Sequence, residues 1–204
     1  MLTPPWFTDL FNLLVTTGNF PTIWKLARIV LILKANRDLT HPQDYRPICI
    51  LPRWGKVFDK VIAKRLAYYL EERHLLFDTQ FGFRKQRSTI DALQRIKDFI
   101  LNAQHSNCLT CIISLDIANA FNFTSCPLLK NKISTLNIPS YLKKILFSFL
   151  DDRKVVLGDI THKYNIGIPQ GSCLDLYCGT SLLTTFWGLT SAPLHISKLS
   201  PTML

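Results

Sequence analysis

Residues 44–66, DYRPICILPRWGKVFDKVIAKRL, change backbone period within a few positions. Pro47 and Pro52 bias the residues before them toward extended backbone, so YRPICILP reads as an extended segment. From Gly55 onward the spacing becomes helical. Phe58, Val61, Ile62 and Leu66 fall on one face, and the pattern continues through residue 74. Lys56, Lys60 and Lys64 stack on another face, which suits either a solvated surface or contact with a phosphate backbone.

The flanking segments follow the same mixed pattern. Residues 11–24, FNLLVTTGNFPTIW, read as a helix end, a Gly-Asn turn and an extended entry to a strand. ARIVLILK, residues 27–34, is rich in β-branched side chains and reads as a buried strand. Ser88-Thr89-Ile90-Asp91 matches a capping box at the start of a second helix, whose apolar stripe continues through Leu93, Ile96 and Ile100. CLTCIISLD, residues 108–116, reads as a strand ending in an acid. PLLKNKISTL and PSYLKKILFSFL read as two short helices that begin with proline. KVVLGDITHKYNIGI reads as a hairpin turning at Gly158-Asp159. The fold class is α+β.

The chain has 204 residues, of which 48% are hydrophobic, enough for a sizeable core and against disorder. Its net charge is +10. Sixteen basic and nine acidic side chains lie in residues 1–100, against eight and five in 101–204, so the basic excess sits mainly in the first half. Such a surface draws polyanions, nucleic acid or acidic lipid headgroups. The strongest apolar run, Leu26–Leu33, is broken by Arg28 and is far shorter than the roughly 20 residues of a membrane span. No secretory signal pattern opens the chain. The expected location is intracellular, nuclear or cytoplasmic, and not secreted. Cys108 and Cys111 form a C-x-x-C without a second pair at zinc-ribbon spacing, so the cysteines read as reduced structural thiols rather than a metal site.

Four stretches carry chemistry. Asp116 closes an apolar strand, where a carboxylate can hold Mg²⁺ or cap the next helix. In QFGFRKQRST, residues 80–89, Arg84, Lys85 and Arg87 interleave with Phe81 and Phe83. That mixture suits phosphate contact with base or sugar packing, or else a basic loop anchored by core phenylalanines. GIPQGS, residues 167–172, surrounds Gln170 with glycines that permit close backbone approach. FLDDRKVV, residues 149–156, holds adjacent Asp151 and Asp152, either a metal-binding pair or a polar helix end.

Taken in order, DYRPICILPRWGKVFDKVIAKRL, QFGFRKQRSTIDAL, CIISLDIANAF and GIPQGS closely resemble the reverse transcriptase domain of non-LTR retrotransposons, especially jockey-like elements. The resemblance covers roughly residues 11–174. It implies the fingers and a partial palm of a right-hand polymerase, with the thumb absent. Fingers and fingers–palm region would span residues 1–107, partial palm 108–174, and a divergent tail 175–204. It implies RNA template, DNA primer and deoxynucleoside triphosphates as partners, with Mg²⁺ as cofactor and no membrane. Lys34 and Arg46 match the triphosphate-binding positions, Phe121 the aromatic steric gate, and Gln170 and Gly171 the motif near template–primer and nucleotide. Arg84, in the family's GFR motif, implies template or fingers contacts, with Lys85 and Arg87 beside it. Asp116 matches the first palm aspartate, catalytic and metal-binding.

The resemblance also exposes departures. The family's aromatic-x-Asp-Asp motif follows the Pro-Gln-Gly segment, whereas Asp151 and Asp152 precede it. The pair therefore reads as a solvated cap. After Gly171 the only acid is Asp175, without an acidic neighbour. From about Asp175 the sequence leaves the family pattern, as a frameshift or altered splice would make it do. Asn122 stands where the family has aspartate. The resemblance further leads to the expectation that the upstream endonuclease domain is absent. These departures give a reverse transcriptase domain by descent, inactive as written. The alternatives are a non-catalytic nucleic-acid-binding remnant and an unstable pseudogene product.

Overall fold

A computed structural model describes residues 4–35, 41, 44–114, 125–164, 167 and 171–174. The elements in chain order are α1 (Pro5–Thr17), a 3-10 turn (Thr22–Lys25), β1 (Leu26–Leu33), β2 (Tyr45–Ile50), α2 (Arg53–Glu72), α3 (Thr89–His105), α4 (Cys126–Thr135), α5 (Ser140–Leu150), β3 (Lys154–Leu157) and β4 (Ile160–Lys163). The expected α+β character is present. The chain divides into two compact units, Met1–Leu75 with Asn119–Leu182 and Leu76–Ala118 with Leu183–Leu204.

The first unit is built on a four-stranded sheet in the order β2-β1-β3-β4. β1 runs antiparallel to β2 and parallel to β3, and β3 and β4 form the hairpin expected at Gly158-Asp159. Helix α2 follows the Pro52 position anticipated as the end of the extended segment. Its buried positions Phe58, Ile62, Leu66 and Leu70 recur at helical spacing. Phe58 is fully buried, with ring centroids 5.3 Å from Phe20 and 5.2 Å from Phe11, and Phe20 in turn lies 4.9 Å from Phe149 of α5. Leu142, Ile145 and Leu146 complete the α5 side of this core, and Leu129 and Ile133 of α4 are equally buried. Gly55 lets α2 approach the preceding turn, because a Cβ there would lie 2.9 Å from the Trp24 carbonyl oxygen.

Three local expectations need correction. The entry to β1 is a 3-10 turn rather than extended chain: the Trp24 amide bonds to the Pro21 carbonyl at 2.9 Å. The Lys25 side chain then donates to the carbonyls of Ser148 and Asp151 at 2.8 and 2.9 Å, satisfying the end of α5. Burial lowers the Lys25 pKa, and Asp152 and Asp151 pull it partly back. Strand β1 forms, but only Ala27 in it is buried. β3 pairs with Leu26–Arg28 alone, so the remainder of β1 continues as a two-stranded ribbon with β2. Residues 108–114, the described part of the expected 108–116 strand, form no ladder; a strand without a hydrogen-bonding neighbour has no means of satisfying its backbone.

The second unit contains α3 and the loop before it. The capping box is present: the Ser88 hydroxyl accepts from the Asp91 amide at 3.1 Å, and the Asp91 carboxylate accepts from the Ser88 amide at 2.7 Å. The Ser88 hydroxyl also donates to the Asp91 carboxylate at 2.7 Å, and this bond first, then the one from the Ser88 amide, holds the Asp91 pKa below the usual carboxylate range. No α3 residue is buried, and Ile90, Leu93, Ile96 and Phe99 are exposed. Among the described residues no helix is long and apolar enough to cross a membrane.

This distribution sets apart two classes of apolar residue. Phe58→Ala is expected to lower unfolding free energy by about 3–5 kcal/mol in urea titrations. Leu93→Ser should stay within about 0.5 kcal/mol. Equal losses would contradict the placement of the core.

Candidate nucleic-acid interface

The β1–β2 ribbon positions two of the expected contacts. Ile32 and Arg46 are direct cross-strand partners, and the Lys34 amide donates to the Asp44 carbonyl at 2.8 Å, extending the ladder by one step. Side chains two apart on a strand share a face, so Lys34 and Arg46 are diagonal neighbours on one face, about 7–8 Å apart. Arg46 is exposed and Lys34 half-buried. Asp44 is buried, and its carboxylate accepts from the His41 amide at 3.2 Å, fixing this end of the ribbon. Two adjacent cations on a rigid ribbon can neutralise phosphate oxygens, the guanidinium with forked geometry.

In the second unit, the loop before α3 uses its arginines on itself. The Arg84 guanidinium donates to the Phe77 carbonyl at 2.7 Å. Arg87 lies 4.0 Å from the Asp78 carboxylate and 5.5 Å from the Phe81 ring centre. Lys85 and Phe83 are exposed, Phe83 at a φ of 57°. The two phenylalanines are therefore not both core anchors: Phe81 supports Arg87 and Phe83 faces outward. Asp116, Phe121 and Gln170 lie outside the described residues.

Asp151 and Asp152 sit where chain order suggested. Asp151 is the C-cap of α5, its carboxylate pairs with Lys130, and both aspartates are exposed. Among the described residues no group of three or more His, Cys, Asp or Glu side chains could hold a metal ion.

Gly171, expected beside template–primer, is packed against the edge strand β2. At a φ of 130°, a Cβ on Gly171 would lie 2.5 Å from the Cys49 carbonyl oxygen and 3.3 Å from Ile48 Cγ2, so the close approach requires glycine. Two buried charged residues that the sequence reading passed over hold this region. Asp59 of α2 is 2% exposed. Its Oδ1 accepts from the Ser172 hydroxyl at 2.6 Å and the Leu174 amide at 3.1 Å, and its Oδ2 from the Cys173 amide at 2.6 Å. Arg153 is 3% exposed and donates through Nη2 to the Gly167 carbonyl and to Cys126 Sγ, both at 2.9 Å. Its guanidinium carbon lies 5.3 Å from the Tyr164 ring centre. A signal for each was present. Asp59 shares the helical spacing of Ile62, Ala63, Leu66 and Leu70, an acid on an apolar face, and Arg153 alternates with buried Val155.

Burial raises the Asp59 pKa, and the bonds from Ser172, Cys173 and Leu174 only partly offset it. A folded-state pKa above the unfolded one, about 3.9, contributes stability below that unfolded value, and the contribution is lost as pH rises through the folded pKa. The unfolding free energy of the native chain minus that of Asp59→Asn should therefore fall as pH rises from about 4 toward neutrality in denaturant titrations. A difference that grows with pH would contradict the dominance of burial.

Residues 32–175 match the model of the reverse transcriptase (RNA-dependent DNA polymerase) family. The probable RNA-directed DNA polymerase from transposon X-element of Drosophila melanogaster is 33% identical over 202 residues, 89% of this chain and 22% of that protein. The RNA-directed DNA polymerase from mobile element jockey of the same species is 33% identical over 182 residues, 87% of this chain and 19% of that protein. The probable RNA-directed DNA polymerase from transposon BS is 32% identical over 171 residues, covering 81% and 19%. The chain thus spans about a fifth of the length of these curated relatives. Matched across most of its own length, it belongs to the reverse transcriptase (RNA-dependent DNA polymerase) family, within the group carried by non-LTR retrotransposons.

Proposed function

We propose that the chain binds an RNA template and DNA primer as the fingers (1–107) and partial palm (108–174) of a reverse transcriptase, and that as written it does not complete nucleotidyl transfer. The observation that carries the binding half is the placement of Lys34 and Arg46 on one face of the β1–β2 ribbon. Phosphoryl transfer depends on positioning and charge neutralisation more than on covalent help from protein. In this reading Lys34 and Arg46 meet the triphosphate of an incoming deoxynucleotide, and Phe121 excludes a 2′-hydroxyl beneath the sugar. Gln170 and Gly171 face template and nucleotide, and exposed Lys85 adds a backbone contact beside the loop arginines, Arg84 and Arg87.

The catalytic half fails on carboxylates. The family's chemistry draws on Mg²⁺ held by palm aspartates, and Asp116 is the residue of this chain that matches one of them. Among this chain's residues after Gly171, Asp175 is the single acid. A second reading, an unstable remnant, is favoured by the exposed apolar side chains of α3 and β1. Aggregation at low micromolar concentration during purification would support it.

Filter binding of an RNA–DNA duplex in 50–200 mM salt tests the proposal. Affinity should fall steeply with salt, and Lys34→Met and Arg46→Met should each reduce the logarithmic salt slope by about 1. Salt-independent binding, or no binding, would overturn it.

A further inference from the structure

Gly167 and the Ser172–Leu174 stretch are each tied by a buried charge, of opposite sign. At one end the cationic Arg153 holds the Gly167 carbonyl, a hydrogen-bond acceptor. At the other the anionic Asp59 receives the hydroxyl of Ser172 and the amides of Cys173 and Leu174, all donors. Each charge is matched in sign to the backbone groups it holds. Neither is explained by a salt bridge, since among the described residues no carboxylate bonds Arg153 and no cation bonds Asp59. Among the described residues, Arg153 Nε and Nη1 are buried and meet no hydrogen-bond partner. Between the clamps, Gly171 is pressed onto the Cys49 carbonyl of β2, the strand that presents Arg46 three residues earlier.

We propose that Asp59 and Arg153 are positioning residues: Arg153 fixes Gly167 and Asp59 fixes Ser172–Leu174, holding Gly171 in register with the β2 surface that bears Arg46, so that Gly171 and that surface present one face to the template–primer duplex. The inference deepens the binding reading above and rests on it for the identity of the ligand. Neither residue touches nucleic acid. Asp59 acts through Ser172, Cys173 and Leu174, and Arg153 acts through Gly167. A scaffold-only role for Asp59 would weaken α2 and α5 along with the segment. A positioning role loosens the segment first.

Amide hydrogen exchange on the full 204-residue chain separates these roles. Asp59→Asn should speed exchange at Cys173 and Leu174 about tenfold or more, while the core amides of α2 and α5 keep their protection. Ser172→Ala, which removes one donor and leaves the two backbone bonds, should give a smaller rise confined to Leu174 and its neighbours, and it covers the case in which the Asn variant fails to fold. Loss of protection spread evenly over α2 and α5, or no change at Cys173 and Leu174 in either variant, would overturn the inference. Filter binding to an RNA–DNA duplex adds the functional arm. Asp59→Asn and Arg153→Met should each weaken binding, and the double variant should weaken it no further than the worse single one, because both loosen the same segment. Additive losses would overturn the shared role. If the native chain binds no duplex, the functional reading fails while the exchange result still decides whether Asp59 holds the segment.

Discussion

The full burial of Phe58 between Phe11 and Phe20 is the constraint from which the rest of the first unit follows. With Ile62, Leu66 and Leu70 it fixes the rotation of α2 about its own axis. Once that rotation is set, Asp59 is carried into the interior whether or not a carboxylate is comfortable there. A charge in a low-dielectric site is tolerated only when hydrogen-bonded. The Ser172 hydroxyl and the two following amides meet that demand, so core packing by one residue dictates where a distant chain segment must dock. The raised pKa of Asp59 is the residue of this conflict: three donors reduce the cost of burial without cancelling it.

Much of this was legible in the sequence, and what was not has a physical cause. The α2 apolar face, the α3 capping box and the β3–β4 hairpin follow from local spacing and turn chemistry, which need no knowledge of partners, whereas the Asp151 helix cap followed from motif order along the chain. Strand β1 was legible as a strand, yet not as one buried at Ala27 alone, because burial depends on how far β3 runs alongside it. The apolar run at 108–114 has strand composition, but composition does not supply a pairing neighbour. Asp59 was missed because a charge on a helix is ordinarily solvated, although its register with Ile62 and Leu66 placed it inward.

The candidate site divides in the same way. Motif order located Lys34, Arg46 and Gly171, and the ribbon pairing then placed the first two on one face, something spacing in sequence cannot do across a loop. Arg84 and Arg87 were read as nucleic-acid contacts from their residue types. Their described bonds include Phe77 and Asp78 within the loop, which tie both arginines to the loop itself. A basic, preformed face can outlast the carboxylates that catalysis needs, because charge neutralisation of a phosphate backbone tolerates substitution far better than metal coordination does.

The central claim is therefore a separation of binding from chemistry within one reverse transcriptase domain. Primer extension measures it most directly: a labelled DNA primer annealed to an RNA template, with Mg²⁺ and all four deoxynucleoside triphosphates, at protein concentrations where filter binding shows the duplex bound. The account predicts a bound primer that does not lengthen. A primer extended by even a few templated nucleotides would contradict it.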